Sequence, residues 1–201
     1  MFFLHIAEKK ITPILKLNLR ENISLFNHGI SGYLWPQFSK MSKPGFDDIY
    51  MELAANLARK SHCVKMKVGA VLTKDTRIVS LGYNGPPAGT NNCDEEWPET
   101  GCARDSKGGC SLALHAEQNA ILYAAKNRVT LEDATLYLTL SPCLPCARMI
   151  YSSGIKKVLF LKSYSGYKGA ISDEGVDFLR KFGVAVEQFT PEGMLEESVN
   201  D

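Results

Sequence analysis

Apolar residues recur with two different periods along this chain, and these periods predict its helices and strands. Phe46, Ile49, Tyr50, Leu53 and Leu57 recur at the spacing of an amphipathic helix, whereas alternation and short apolar runs elsewhere predict strands. In chain order we predict a helix over 46–62, strands over 68–72 and 77–81, a helix over 115–127, a strand over 135–140, a helix over 143–153, a strand over 157–161, a helix over 174–182 and a strand over 184–189. This order predicts an α/β fold with a mixed sheet, parallel in its later strands and covered by helices on both faces.

Both ends of the chain lack these periods, which sets the expected domain boundaries. Residues 1–45 hold no sustained pattern and contain Pro13, Pro36 and Pro44. We expect an N-terminal extension there that is disordered or not native, with translation starting at Met41. An organelle-targeting segment is the weaker alternative, since this stretch has several bases and few acids. The globular domain is predicted over 46–190, followed by a loose acidic tail over 191–201.

Composition and charge narrow the classes of function. The 201 residues are 45% hydrophobic and 22% charged, as in a globular protein with a substantial core. The net charge is +1, from 23 basic and 22 acidic residues, so there is no broad electrostatic case for a long nucleic-acid partner. No apolar run is long enough to span a bilayer, so we expect no membrane partner.

The six cysteines are informative because of the compartment that they imply. An even number of cysteines in a small secreted protein would suggest disulfides. Here the apolar segments near the start of the sequence are short and are broken by Lys9, Lys10, Pro13 and Lys16, so no secretory signal is convincing. We therefore expect a cytoplasmic protein whose cysteines bind metal.

Two short motifs carry the chemistry that this sequence predicts. The first places His115 two residues before Glu117, and the second is Pro142-Cys143-Leu144-Pro145-Cys146. One imidazole and two thiolates are a ligand set that holds a catalytic Zn²⁺ with one position open for water. Glu117 is too close to His115 in the chain to lie on the opposite side of the ion, so we predict that it carries protons beside the water. This spacing matches a known signature of zinc nucleobase deaminases.

Each motif alone has a plainer interpretation. A lone Cys-x-x-Cys pair also fits a redox dithiol or half of a structural zinc site. A lone His-x-Glu is usually part of the surface. Together, in this order and with Pro142 before Cys143, the two motifs favour the catalytic zinc.

From about residue 50 to residue 189 the chain resembles the deoxycytidylate (dCMP) deaminases of the cytidine deaminase-like superfamily. The resemblance rests on the zinc motifs, on Val68-Gly69-Ala70-Val71, on Gly82-Tyr83-Asn84-Gly85-Pro86-Pro87-Ala88-Gly89 and on Ser153-Gly154-Ile155-Lys156-Lys157-Val158. The zinc motifs occur across the superfamily, whereas the Gly-Tyr-Asn-Gly loop narrows the resemblance to this family. It implies a three-layer α/β/α sandwich around a five-stranded mixed sheet.

The resemblance also implies an enzyme and its mechanism. A zinc-dependent hydrolase of this family converts dCMP to dUMP and ammonia with a zinc-activated water, and so supplies dUMP for thymidylate synthesis. Carried over by position, the zinc ligands are His115, Cys143 and Cys146, and Glu117 is the proton shuttle.

Four further residues are implicated in substrate binding by the same resemblance. The backbone N–H of Ala116 is expected to contact the base carbonyl, and the side chain of Asn84 the deoxyribose. For the phosphate, Lys67 before the first strand and Tyr164 after a strand end are candidates. A lone lysine or tyrosine in a loop is more often part of the surface, which is the alternative for both.

A long loop over 86–112 has its own predicted role. The resemblance implies a second, structural zinc, for which Cys63 and Cys93 stand at matching positions and Cys102 and Cys110 complete a Cys₄ site. The alternatives are four free cysteines or a partial site completed by another residue, since some family members use histidine here.

Many members of this family are hexamers that are activated by dCTP and inhibited by dTTP with Mg²⁺. The resemblance therefore implies a homo-oligomer with an effector site. Gly82, Tyr83, Asn84 and Gly85 match the loop that contributes to that site.

Three other functions share parts of the pattern. A tRNA adenosine deaminase has the same zinc signature, but the near-neutral charge, the Gly-Tyr-Asn-Gly loop and the cysteine-bearing loop argue against it. A nucleoside cytidine deaminase would differ in lacking a phosphate pocket. A catalytically silent zinc-bound module, of the kind found beside DNA-uptake genes, would not require the carboxylate of Glu117.

Overall fold

The computed structural model describes residues 43–106, 108–165 and 173–191. The chain divides into two units, Met1–Lys43 and Pro44–Asp201. The predicted extension over 1–45 and the predicted tail over 191–201 lie almost wholly outside the described residues, and both stay predictions. Within the described part, no helix combines the length and the apolarity needed to cross a bilayer.

The described part of the second unit contains five strands and five helices. In chain order they are α1 (Phe46–Ala58), β1 (Gly69–Lys74), β2 (Arg77–Tyr83), α2 (Cys93–Glu96), α3 (Ala116–Lys126), β3 (Thr135–Leu140), α4 (Leu144–Ser152), β4 (Lys157–Lys162), α5 (Glu174–Lys181) and β5 (Ala185–Gln188). Every predicted element is present, with ends that differ by a few residues. The addition is α2, one short turn of helix inside the long loop, where no apolar period predicts it.

The five strands form one mixed sheet in the order β2-β1-β3-β4-β5. β1 and β2 are an antiparallel hairpin, and its turn places Asp75 and Thr76 at positive φ, as a two-residue hairpin turn requires. β1 also pairs antiparallel with β3, whereas β3, β4 and β5 are parallel to one another. The predicted mixed sheet with parallel later strands is therefore confirmed.

Side chains alternate across the sheet and divide the core into two layers. Along β1, Val71 faces α1, where it joins Tyr50 and Met51 in one cluster. Its neighbours Ala70 and Leu72 face the opposite side, in the cluster that contains the buried residues of α3, α4 and α5. Helices thus cover both faces, which confirms the predicted three-layer α/β/α sandwich.

Two glycines allow helices to approach the sheet unusually closely. A Cβ atom on Gly69 would lie 1.9 Å from the carbonyl oxygen of Ala54 in α1, and one on Gly82 would lie 2.3 Å from the carbonyl oxygen of Ala116 in α3. Both distances are far inside van der Waals contact. The close approach at Gly82 matters for function because it fixes the start of α3 against the sheet.

We expect Gly82→Ala to lower the free energy of unfolding by about 1–3 kcal/mol, because the added methyl group must push α3 away from β2. Gly85→Ala is the matched control, since a Cβ at Gly85 meets only the ring of Tyr83, at 3.9 Å. Urea denaturation of both variants measures the difference. Equal destabilisation by the two substitutions would contradict the close packing of α3.

Candidate active site

The predicted metal ligands lie at the starts of two helices. His115 is the N-cap residue of α3, and its backbone N–H donates to the side-chain oxygen of Gln118, 2.8 Å away. Cys143 is the N-cap residue of α4, and Cys146 lies in the first turn of that helix. A helix N-terminus carries partial positive charge from its unpaired N–H groups, so both cysteines lie where a thiolate is stabilised.

The two helix starts bring the three ligand side chains together. His115 Nδ1 lies 3.5 Å from Cys143 Sγ and 3.4 Å from Cys146 Sγ. The three ligand atoms all lie within 4.8 Å of one another, and this is the one such group of three or more among the described residues. One imidazole nitrogen and two sulfurs at this spacing fit Zn²⁺, with a fourth position left for water.

The thiols of Cys143 and Cys146 are hydrogen bonded to each other. That bond, together with one from His115, lowers the pKa of Cys143 to about 4, and it raises the pKa of Cys146. The hydrogen bond to Cys143 also raises the pKa of His115. The cluster therefore already stabilises negative charge on sulfur, which is what a cation bound between these groups requires.

Glu117 lies beside this cluster and is 4% exposed. Its burial raises the pKa of the carboxyl group to about 7, while a cation on the neighbouring ligands would favour the ionised form. A buried carboxylate that exchanges its proton near neutral pH is suited to carrying protons in a reaction.

A cavity of about 500 Å³ opens onto the cluster, and its lining includes His115, Glu117 and Cys143. Ligand pockets for small molecules typically measure about 300–1,000 Å³, so the cavity is large enough for a nucleotide. Ala116 lines it as the first residue of α3. Its N–H has no partner within the helix and is available to an acceptor.

The remaining predicted substrate residues are placed less uniformly. Asn84 and Tyr164 line the cavity. Lys67 is exposed and does not line the cavity, whereas Lys65 does line it. Asn84 is 8% exposed, and its side chain accepts from Val68 N and donates to Met66 O, both at 2.8 Å. Asn84 thus holds the segment that carries both lysines against the end of β2.

The four cysteines of the predicted second site lie around the long loop. The Cys110 thiol interacts with the thiols of both Cys93 and Cys102, and Cys63 influences Cys102 electrostatically. Burial raises the pKa of Cys93 to about 11. In the described part of the chain, no three of these sulfurs lie within 4.8 Å of one another, unlike the first cluster.

The predicted effector loop is mostly tied to α3 instead of lining the cavity. Tyr83 O accepts from Asn119 Nδ2 at 2.7 Å, and Gly85 forms an antiparallel bridge with Leu114. Of its four residues, Asn84 is the one that also lines the cavity. Whether this loop binds an effector stays a prediction.

Three residues at the site were missed by sequence reasoning. Lys65 lies two positions before Lys67, and this segment has no apolar period that would predict which of the two lysines faces the cavity. Ser141 directly precedes the Pro-Cys-x-x-Cys motif and was assigned no role, although it lines the cavity. Asp173 hydrogen bonds Ser141 from the start of α5. An aspartate just before a predicted helix would normally suggest a cap, so no signal pointed to this contact.

Comparison with known proteins identifies the family to which this chain is related. Residues 45–162 match the model of the cytidine and deoxycytidylate deaminase zinc-binding region. The deoxycytidylate deaminase of Schizosaccharomyces pombe is 35% identical over 88% of this chain and 54% of its own length. That of Enterobacteria phage T2 is 36% identical over 68% of this chain and 88% of its own. The chain thus spans about half the length of the yeast relative but most of the phage one.

The fold is also similar to that of a solved structure. The dCMP deaminase of cyanophage S-TIM5, crystallised in complex with dCMP and dUMP, matches with a TM-score of 0.61 and 34% identity. The match covers 74% of this chain and 100% of the phage protein. The chain therefore belongs to the cytidine and deoxycytidylate deaminase family, and it carries the zinc-binding region that defines it.

Proposed function

We propose that this chain catalyses the hydrolytic deamination of dCMP to dUMP and ammonia. The observation that carries the proposal is the cluster of His115, Cys143 and Cys146 beside a buried Glu117 in one cavity. The similarity to a phage enzyme solved with dCMP and dUMP supports the choice of base and sugar.

The proposed mechanism assigns a task to each residue around the cluster. His115, Cys143 and Cys146 would hold the zinc ion, which supplies an activated water at neutral pH when bound. Glu117 accepts a proton as the water oxygen bonds to C4 of the cytosine ring, and it passes a proton to N3. It then takes the remaining proton from the new hydroxyl group at C4 and donates it to the amino group, so that the C4–N bond breaks, ammonia leaves and a carbonyl remains at C4.

One backbone group and one side chain would orient the substrate. The N–H of Ala116 is free for the base carbonyl because Ala116 begins α3. The side-chain amide of Asn84 has one donor and one acceptor position left beyond its bonds to Met66 and Val68, and these suit the deoxyribose.

For the phosphate we propose Lys65 in place of Lys67. Among the described residues that line the cavity, Lys65 carries the one ammonium group. Its side chain reaches across to donate to the carbonyl oxygen of Gly108, also in the lining. A phosphate dianion would attract this cation, and Tyr164 in the same lining would add a second contact.

A structural zinc on Cys63, Cys93, Cys102 and Cys110 is a further proposal. Cys93 and Cys102 are 4% and 3% exposed, and buried thiols in contact with one another are costly as separate thiolates without a metal. Cys63 and Cys110 line the cavity, so a metal here would also fasten part of its wall.

Regulation and assembly stay predictions from the resemblance. Activation by dCTP, inhibition by dTTP with Mg²⁺ and a hexamer would place an effector near Gly82–Gly85. Tyr83 on the edge strand β2 is 40% exposed, which leaves it accessible to such contacts. The alternative of a silent zinc-bound module is disfavoured because a binding module would not need a buried Glu117.

We expect Glu117→Gln to retain zinc but to deaminate dCMP about 10²–10⁴-fold more slowly, because the amide cannot carry the proton. Zinc per chain and the rate of ammonia release are the two measurements. Cys146→Ser serves as the control that should lose zinc and activity together. Full activity of zinc-loaded Glu117→Gln would refute the proposed proton carrier.

Lys65→Gln should raise the KM for dCMP about tenfold or more, because a charge-assisted hydrogen bond to phosphate is lost. Deoxycytidine, which has no phosphate, should react as it does with the wild type. Lys67→Gln is the matched control, since Lys67 is exposed and outside the cavity lining. If Lys67→Gln alone weakened dCMP binding, Lys67 and not Lys65 would be the residue that contacts the phosphate.

Elemental analysis of the full chain should find two zinc ions per chain. Cys102→Ser should reduce the number to one and lower the melting temperature, while the catalytic cluster keeps its ion. One zinc ion in the wild type would rule out the second site.

A further inference from the structure

Asp173 stands at the N-cap position of α5 but does not cap that helix. An aspartate at this position usually accepts a hydrogen bond from an N–H of the first helical turn. Its carboxylate makes no such bond here. Instead, the carboxylate accepts hydrogen bonds from the segments that follow β3 and β4, next to the active site.

Both oxygens of the Asp173 carboxylate are hydrogen bonded. Oδ1 accepts from Ser141 Oγ at 2.9 Å and from the backbone N–H groups of Tyr164 and Ser165, each at 3.1 Å. Oδ2 accepts from the hydroxyl of Ser163. Burial alone would raise the pKa of Asp173, but the hydrogen bonds from the serines lower it overall, so the group is ionised.

These hydrogen bonds contribute more to fixing the backbone of Tyr164 than to fixing the backbone of Ser141, which precedes the metal ligand Cys143. The N–H of Tyr164 donates to Ser141 Oγ at 2.7 Å as well as to Asp173. Ser141 has its own backbone anchor, since its N–H donates to Lys162 O at 2.8 Å and extends the pairing of β3 and β4. Without Asp173, Ser141 would keep that anchor, whereas the N–H of Tyr164 would lose one of the two acceptors to which it donates.

The position of Asp173 is itself fixed by close packing. A Cβ on Gly175, two residues further on, would lie 2.0 Å from the carbonyl oxygen of Pro142. The first turn of α5 therefore rests directly on the backbone that leads to Cys143. Asp173 is carried by a rigid element and can hold the residues after β4 in one place.

We propose that Asp173 is a positioning residue that fastens Tyr164 into the cavity wall and thereby sets the affinity for the substrate. This inference rests on the proposed function, because Tyr164 matters only if the cavity binds dCMP. Asp173 does not touch the reacting atoms, so it should act on KM and leave the chemical step nearly unchanged.

The test measures KM, kcat and zinc content of the zinc-loaded full chain with dCMP. Asp173→Ala should raise KM about tenfold, which corresponds to about 1.4 kcal/mol, with kcat within about threefold of the wild type and zinc unchanged. Asp173→Asn should raise KM less, because the amide oxygen still accepts hydrogen bonds. Asp177→Ala is the matched control, since Asp177 is exposed on the same helix and should change nothing.

A double substitution separates positioning from general loosening of the fold. Asp173→Asn combined with Tyr164→Ala should raise KM no more than Tyr164→Ala alone, because both changes remove the same contact. Additive effects, or an unchanged KM in the Asp173 variants of an active enzyme, would overturn the inference alone. A zinc-loaded wild type that does not deaminate dCMP would overturn the proposed function, and the inference would fall with it.

Discussion

The meeting of two helix N-termini is the constraint on which the rest of this structure depends. α3 begins after His115 and α4 after Cys143, and the two starts bring His115 Nδ1 within 3.5 Å of both sulfurs. Each helix N-terminus carries partial positive charge, so negative charge between the two ends is favourable. The thiolate of Cys143, whose pKa is lowered to about 4, provides that charge, and a bound metal ion would favour the thiolate of Cys146 as well.

Close packing at two glycines, Gly82 in the sheet and Gly175 in α5, fixes the positions of those helix starts. Gly82 lets α3 rest on β2, and Gly175 lets α5 rest on the backbone before Cys143. Each contact is made by backbone atoms, which cannot rearrange as long side chains do. The result is a cavity whose metal ligands and Glu117 belong to rigid elements, while Lys65 and Tyr164 come from connecting segments that Asn84 and Asp173 tie down.

Local spacing predicted the helices, the strands and a mixed sheet covered on both faces, whereas the metal cluster came from a known motif and the five-stranded three-layer sandwich from the family resemblance. Local spacing predicted the buried face of α1 less well. Phe46 and Ile49 remain 58% and 43% exposed, whereas Ala54 is fully buried, because the backbone of α1 approaches Gly69 and only a small residue fits there. The choice between Lys65 and Lys67, and the contact of Asp173 with Ser141, depend on chain segments far apart in sequence, which no local period reports.

Ammonia release from dCMP, deoxycytidine and dCTP, measured on the zinc-loaded full chain, is the decisive test of the proposed deaminase activity. The three compounds share the cytosine ring and differ at the 5′ position, so the comparison examines both the metal cluster and the phosphate end of the cavity. We expect release from dCMP at the highest kcat/KM of the three. No release from any of them, with zinc bound, would contradict the proposed activity.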